Sequence, residues 1–177
     1  MKYIALLRGI NVGGNKKVPM ADLKKTFEIL GFTNVKTLLN SGNVIFVSKE
    51  TNVNSLKQQI EQRLEKTFGF VIPVIIRTHK EIQDLVVSDP FMSISATPEA
   101  RLYITFLSEK SKNNLKLPYE SENKDARILQ VSNLEICSVV VLSPAKGTLD
   151  LMSFIEKEFG KNVTTRNWNT VVKLANL

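Results

Sequence analysis

Apolar periodicity switches between strand-like and helix-like spacing along this chain, and it does so twice in the same order. Lys2 to Leu7 reads as a strand, and Met20, Leu23, Phe27 and Leu30 then recur at helical spacing until Gly31. Val35–Leu39 and Val44–Val47 flank the turn Asn40-Ser41-Gly42-Asn43 as a hairpin. Val53, Leu56, Ile60, Leu64 and Phe68 form one helical stripe, which Gly69 stops. Val71 to Arg77 is a further strand, and Thr78-His79-Lys80-Glu81 has capping-box spacing for a short helix ending before Pro90. From Leu102 the order returns. A strand to Leu107 precedes a short lysine-bearing helix after Ser108, and a hairpin pairs Ala126–Val131 with Leu134–Leu142. Leu151, Phe154, Ile155 and Phe159 then mark a helix, Val163–Thr165 an extended piece, and Trp168, Val171, Val172 and Leu174 a last helix.

Strand–helix–strand–strand–helix–strand is the split βαβ, or ferredoxin-like, arrangement. The expected fold is therefore α+β, a duplication of two such halves, each βαββαβ plus a helix. The halves are residues 1–88 and 99–177, joined through Ser88–Pro98. The expected sheet order is fourth-first-third-second. Pro73 suits an edge strand, and Val44-Ile45-Phe46-Val47 suits a central strand covered on both faces. In this order the end of the first strand and the first hairpin tip meet at one edge of the sheet.

The loop leaving the first strand, Arg8-Gly9-Ile10-Asn11-Val12-Gly13-Gly14-Asn15-Lys16-Lys17, holds three of the chain's eight glycines and three cations, and no acid. Glycines permit positive φ, and successive N–H groups in such turns form anion-binding concavities. The spacing matches neither G-x-G-x-x-G nor the Walker loop, so no specific phosphate chemistry is implied. The candidate ligand-binding residues are Arg8, Asn11, Gly13, Gly14 and Lys16, with Asn40, Ser41 and Asn43 from the hairpin tip. A second block, Thr164-Thr165-Arg166-Asn167-Trp168-Asn169-Thr170, reads as a capped helix N-terminus, adding Arg166, Asn167 and Asn169 as a second anion seat. Trp168 is expected to close the core. Charge agrees with this emphasis: of the net +7, residues 1–88 hold 13 basic and 7 acidic side chains, leaving 11 and 10 for residues 89–177.

Enzymatic readings meet a shortage of groups. The single histidine, His79, is expected in a solvent-facing first helical turn, and the single cysteine, Cys137, lies in the apolar run Ile136–Leu142. Neither supports a His-based triad, and no metal site is expected. No cofactor is indicated. The apolar run Tyr3–Leu7 is too short for a signal-peptide core or a membrane span, so a cytoplasmic location and no membrane partner are expected.

Arg8–Gly14, Val18-Pro19-Met20-Ala21-Asp22-Leu23, Asn40–Val44 and Thr165–Val171 resemble the signature blocks of the bacterial domain-of-unknown-function family 1697. The resemblance implies a cytoplasmic bacterial protein of two ferredoxin-like halves, and it implies no activity. The residues themselves favour binding of a small anionic ligand, phosphate- or nucleotide-bearing, at the Gly/Arg/Asn loop edge. Three alternatives stay open. One is a single-stranded nucleic-acid module, disfavoured because only Tyr3 and Phe46 are available for stacking. The others are a phosphoryl- or nucleotidyl-transfer enzyme and a structural protein that forms homo-oligomers through an edge strand.

Overall fold

The computed structural model describes residues 1–14, 16–95, 97–111, 115–122, 124–142 and 151–177. The chain is α+β, with two antiparallel sheets and five helices among the described residues. It forms two compact units, Met1–Asp84 with Leu174–Leu177, and Leu85–Lys173.

In the first unit, β1 (Lys2–Leu7), α1 (Met20–Ile29), β2 (Thr33–Leu38), β3 (Asn43–Val47), α2 (Val53–Phe68) and β4 (Val74–Thr78) precede α3 (His79–Val87), whose last residues belong to the second unit. The sheet runs β2-β3-β1-β4, the strand order expected from the sequence pattern. Tyr3, Ala5 and Leu7 of β1, Phe46 of β3 and Ile76 of β4 face Leu23 and Phe27 of α1 and Leu56, Ile60 and Leu64 of α2. Each of the three buried α2 side chains contributes about 1.5–3 kcal/mol through burial. The helix is closed at both ends: Asn52 Oδ1 accepts from Ser55 N–H at 3.0 Å, and Gly69 takes φ +80°. Ile4, Leu6, Ile45 and Ile75, which alternate with the core residues, are buried as well. That explains why β1 from Tyr3 and β3 from Val44 are apolar throughout. Pro73 lies just before β4 rather than inside it, and β4 is an edge strand whose Val74 N–H is covered by Glu61 Oε1 of α2 at 2.8 Å. The capping box forms: Glu81 N–H donates to Thr78 Oγ1, and Thr78 N–H to Glu81 Oε2.

In the second unit, β5 (Ala100–Leu107), β6 (Tyr119–Glu120), β7 (Ala126–Val131), β8 (Glu135–Val141), α4 (Leu151–Phe159) and β9 (Val163–Asn167) precede α5 (Trp168–Ala175), whose last residues belong to the first unit. The sheet runs β6-β7-β8-β5-β9. Leu107, Ile128, Ile136, Val140 and Val163 pack on Leu151 and Ile155 of α4, and Tyr119 stacks on Phe154 at 4.5 Å. The helix expected after Ser108 is not found in the described residues 108–111 and 115–118, which are irregular; residues 112–114 lie outside them. Instead Tyr119–Glu120 adds an edge strand against β7, through pairing that local periodicity does not announce. β9 is longer than expected, because the ladder with β5 continues through Ile104↔Arg166 and Tyr103↔Asn167.

Both sheets handle the end of their central strand alike. Leu7 N–H donates to Gly42 O of the first hairpin tip, and Arg8 N–H to Pro73 O before β4, at 2.8 and 2.9 Å. In the second unit Leu107 N–H donates to Leu134 O of its hairpin tip, and Ser108 N–H to Asn162 O before β9, at 2.8 and 3.0 Å.

Candidate functional site

Those bonds bring three loops of the first unit to one sheet edge: residues 8–19, the hairpin tip 39–42, and residues 69–73. The tip is held close by its glycine. At φ +76°, a Cβ on Gly42 would stand 2.7 Å from Ile10 Cδ1 and 2.8 Å from Leu7 Cβ. Ile10 is 2% exposed, so it anchors the loop in the core while its neighbours stay outside.

Asn11 fastens the loop further. It sits in the left-handed region at φ +56°, and its N–H donates to Lys16 O at 3.1 Å. Its Nδ2 donates to Val18 O at 3.0 Å and to Asn40 O at 2.9 Å, while Oδ1 accepts from Val18 N–H at 2.8 Å. Asn43 is fully buried, and its Nδ2 donates to Leu38 O and to Ser41 Oγ, across the base of the hairpin. These two amides shape the edge. The loop tip itself is exposed: Gly13 and Gly14 stand at φ +61° and +77° with open space around them. Lys16, also left-handed, carries its Nζ over the Phe70 ring at 5.7 Å, tying the first loop to the third. Asn40 and Ser41 are exposed, and Arg8 is half-buried at the strand end. Asn15 lies outside the described residues.

Between loop and tip lies a cleft of about 390 Å³ lined by Asn11, Gly14, Lys17, Val18, Pro19, Met20 and Asn40. It opens on the start of α1, where Pro19 is the N-cap at φ −62° and ψ 134° and no side chain caps the helix. The first N–H groups of a helix have no partner inside it and carry partial positive charge. Asp22 in the first turn is the nearest acid in sequence, and none of the cleft-lining residues is acidic. Lys17, Val18, Pro19 and Met20 were not among the candidates read from the sequence. The signal for Lys17 was present, since it shares the acid-free loop with Lys16, whereas the wall formed by the next three residues needs the fold.

The second block is arranged differently from expectation. Arg166 is not at a helix N-terminus but inside β9, 7% exposed, with Nη1 donating to Thr164 Oγ1 and to Thr165 O, each at 2.8 Å. Burial lowers its pKa to about 10, so it remains charged at neutral pH. Asn167 ends the strand and caps the helix: Asn169 N–H donates to its Oδ1 at 3.0 Å. Asn169 is exposed, and Trp168 is half-buried, edge-on to Phe91 at 5.2 Å. Arg77 of β4 occupies the position opposite Ile4 that Arg166 occupies opposite Ile104, and it too is buried.

His79, expected to face solvent, is half-buried, and its Nε2 is shielded from water without a hydrogen-bond partner among the described residues. Loss of hydration and then the charge of Lys2 lower its pKa, so the ring is neutral at pH 7. Gln83 on the next turn donates from Nε2 to Ala175 O. Burial pushes the Cys137 thiol up to about 12, which leaves it protonated and inert. No helix among the described residues is long and apolar enough to cross a membrane.

The sheets define an α+β protein, and its first-unit loop edge exposes cations and amides. The chain belongs to a protein family of unknown function, DUF1697, whose model matches residues 1–136, including all three loops of the edge. It is similar in structure to the conserved bacterial protein SP0830 from Streptococcus pneumoniae, with a TM-score of 0.75 and 22% sequence identity over 99% of this chain and 97% of that one. At that identity the likeness speaks for the fold alone. No curated protein matches the chain.

Proposed function

We propose that this protein binds a small phosphate-bearing anion at the three-loop edge of its first unit. The observation that carries the reading is the acid-free cleft at the uncapped start of α1, with Lys17 and Gly14 in its wall. Residues 8–19, 39–42 and 69–73 contain Arg8, Lys16 and Lys17 and no carboxylate. Exposed N–H groups, a helix start and cations together favour phosphate or carboxylate over a neutral ligand. Asn11 and Asn43 act as scaffold in this reading, Gly14, Lys17 and Asn40 line the cleft that takes the ligand, and Arg8 and Lys16 add positive charge to the same loop edge.

Single-stranded nucleic acid ranks lower. Tyr3 and Phe46 lie 5.6 Å apart beneath the helices with no exposed surface, so no base can stack on them. The same reading treats the chain as a duplication of ferredoxin-like halves, 1–88 and 99–177, in a cytoplasmic protein. The matched strand-end hydrogen bonds and the paired positions of Arg77 and Arg166 support the duplication.

Thermal unfolding of the full chain with pyrophosphate, against sodium chloride of equal ionic strength, tests the reading. A ligand that binds only the native state raises the melting temperature, and does so further as its concentration climbs above Kd. The expected result is a rise that Lys17→Ala sharply reduces. Sub-micromolar oligonucleotide binding that salt removes, with no response to pyrophosphate, would overturn it.

A further inference from the structure

The cleft has two unlike walls. Asn11, Gly14, Lys17 and Asn40 make a polar side, and Pro19 and Met20 make an apolar one, with Val18 buried behind them. The apolar side is rigid, since both backbone polar atoms of Val18 bond to the Asn11 side chain and the Pro19 ring fixes its own φ. Two exposed apolar side chains are next in sequence to cleft residues: Val12, 71% exposed, follows Asn11, and Leu39, 52% exposed, precedes Asn40. Leu39 holds φ +59°, a conformation that bulky side chains rarely adopt, and its side chain is left in water.

A bare phosphate or a phosphosugar would use only the polar wall. The volume, about 390 Å³, lies in the range of clefts that enclose whole small molecules, roughly 300–1,000 Å³. A ligand that joins an anionic end to a flat apolar body would cover both walls. We infer that the cleft takes a nucleotide, its phosphate toward Lys17 and Gly14 and its base against Pro19 and Met20, with Val12 and Leu39 closing over the base edge. This rests on the reading of the edge as an anion site and adds the chemistry of the ligand's other end. Contact with aliphatic side chains is non-directional, so the four bases should be held comparably.

Isothermal titration of the full chain with AMP, GMP, CMP, UMP and ribose 5-phosphate tests the inference. The nucleotides should bind about tenfold more tightly than ribose 5-phosphate, the gain expected from covering one base face. Lys17→Ala should weaken AMP and ribose 5-phosphate by the same factor. Val12→Ser combined with Leu39→Ser should weaken AMP several-fold and leave ribose 5-phosphate unchanged; Val12→Ser alone provides the same readout should the double variant fold poorly. Equal affinity for nucleotides and ribose 5-phosphate, both reduced by Lys17→Ala, would overturn the nucleotide assignment and leave the anion site standing. No binding of any of the five would overturn both.

Discussion

The two units end their central strands with the same pair of backbone hydrogen bonds, and they clothe that edge in different side chains. In the first, Leu7 and Arg8 bond to Gly42 and Pro73, and the surrounding loops carry three cations and no acid. In the second, Leu107 and Ser108 bond to Leu134 and Asn162, and the cleft beside them, about 500 Å³, mixes Glu109, Lys110, Glu158 and Lys161. The second cleft is larger, yet its charges balance. The same pair of strand-end bonds thus carries a cationic, acid-free edge in one unit and a charge-balanced one in the other, with loops that differ in backbone as well as in side chains.

The contrast is sharpest at the hairpin tips. The first needs glycine, because Gly42 has positive φ and its missing Cβ makes room for Ile10; the second has leucine at the equivalent bond. Gly42→Ala should therefore cost about 2–4 kcal/mol by urea unfolding, from overpacking added to backbone strain. Gly13→Ala, with the same sign of φ but open space, should cost only about 1 kcal/mol. Equal costs at the two positions would show that Gly42 does not hold the loop. Asn11→Ala comes next, at about 1–3 kcal/mol, because Val18 and Asn40 lose side-chain partners. Lys17→Ala should leave stability within about 0.5 kcal/mol while weakening pyrophosphate roughly tenfold, and Lys161→Ala in the other cleft should change neither stability nor pyrophosphate affinity.

The smallest effect concerns pH. His79 has a lowered pKa in the folded chain, so the unfolded chain takes up the proton first on acidification. Its contribution is fully present above the unfolded value of about 6.5. It is lost as pH falls below that, levelling off beneath the folded value. His79→Gln should flatten this segment of the stability–pH curve, measured by urea midpoints at pH 5 to 8.

Much of this was legible in the chain itself. The helix at Val53–Phe68 carries its own cap, stripe and stop, so local rules suffice for it. β9 was harder, because Thr-Thr-Arg-Asn has no apolar alternation and the strand exists through its ladder with β5. β6 likewise depends on Tyr119↔Ile128 pairing. At the candidate site, strand order sufficed to bring the loop to the hairpin tip. The roles of the amides were not visible, since the bonding partners of Asn11 lie 7 and 29 residues away. Sequence marks Asn11 and Asn43 as polar, and only the fold reveals that their donors are already engaged with the backbone.

The central claim is that the first edge, and not the second, receives the anion. Titrating pyrophosphate into the ¹⁵N-labelled chain and following its amide resonances tests this most directly. The account predicts shifts concentrated at Gly13, Gly14, Lys17, Met20 and Asn40, with Ser108–Ser111 and Glu158–Asn162 unmoved. Shifts confined to the second cleft, or none at millimolar pyrophosphate, would contradict it.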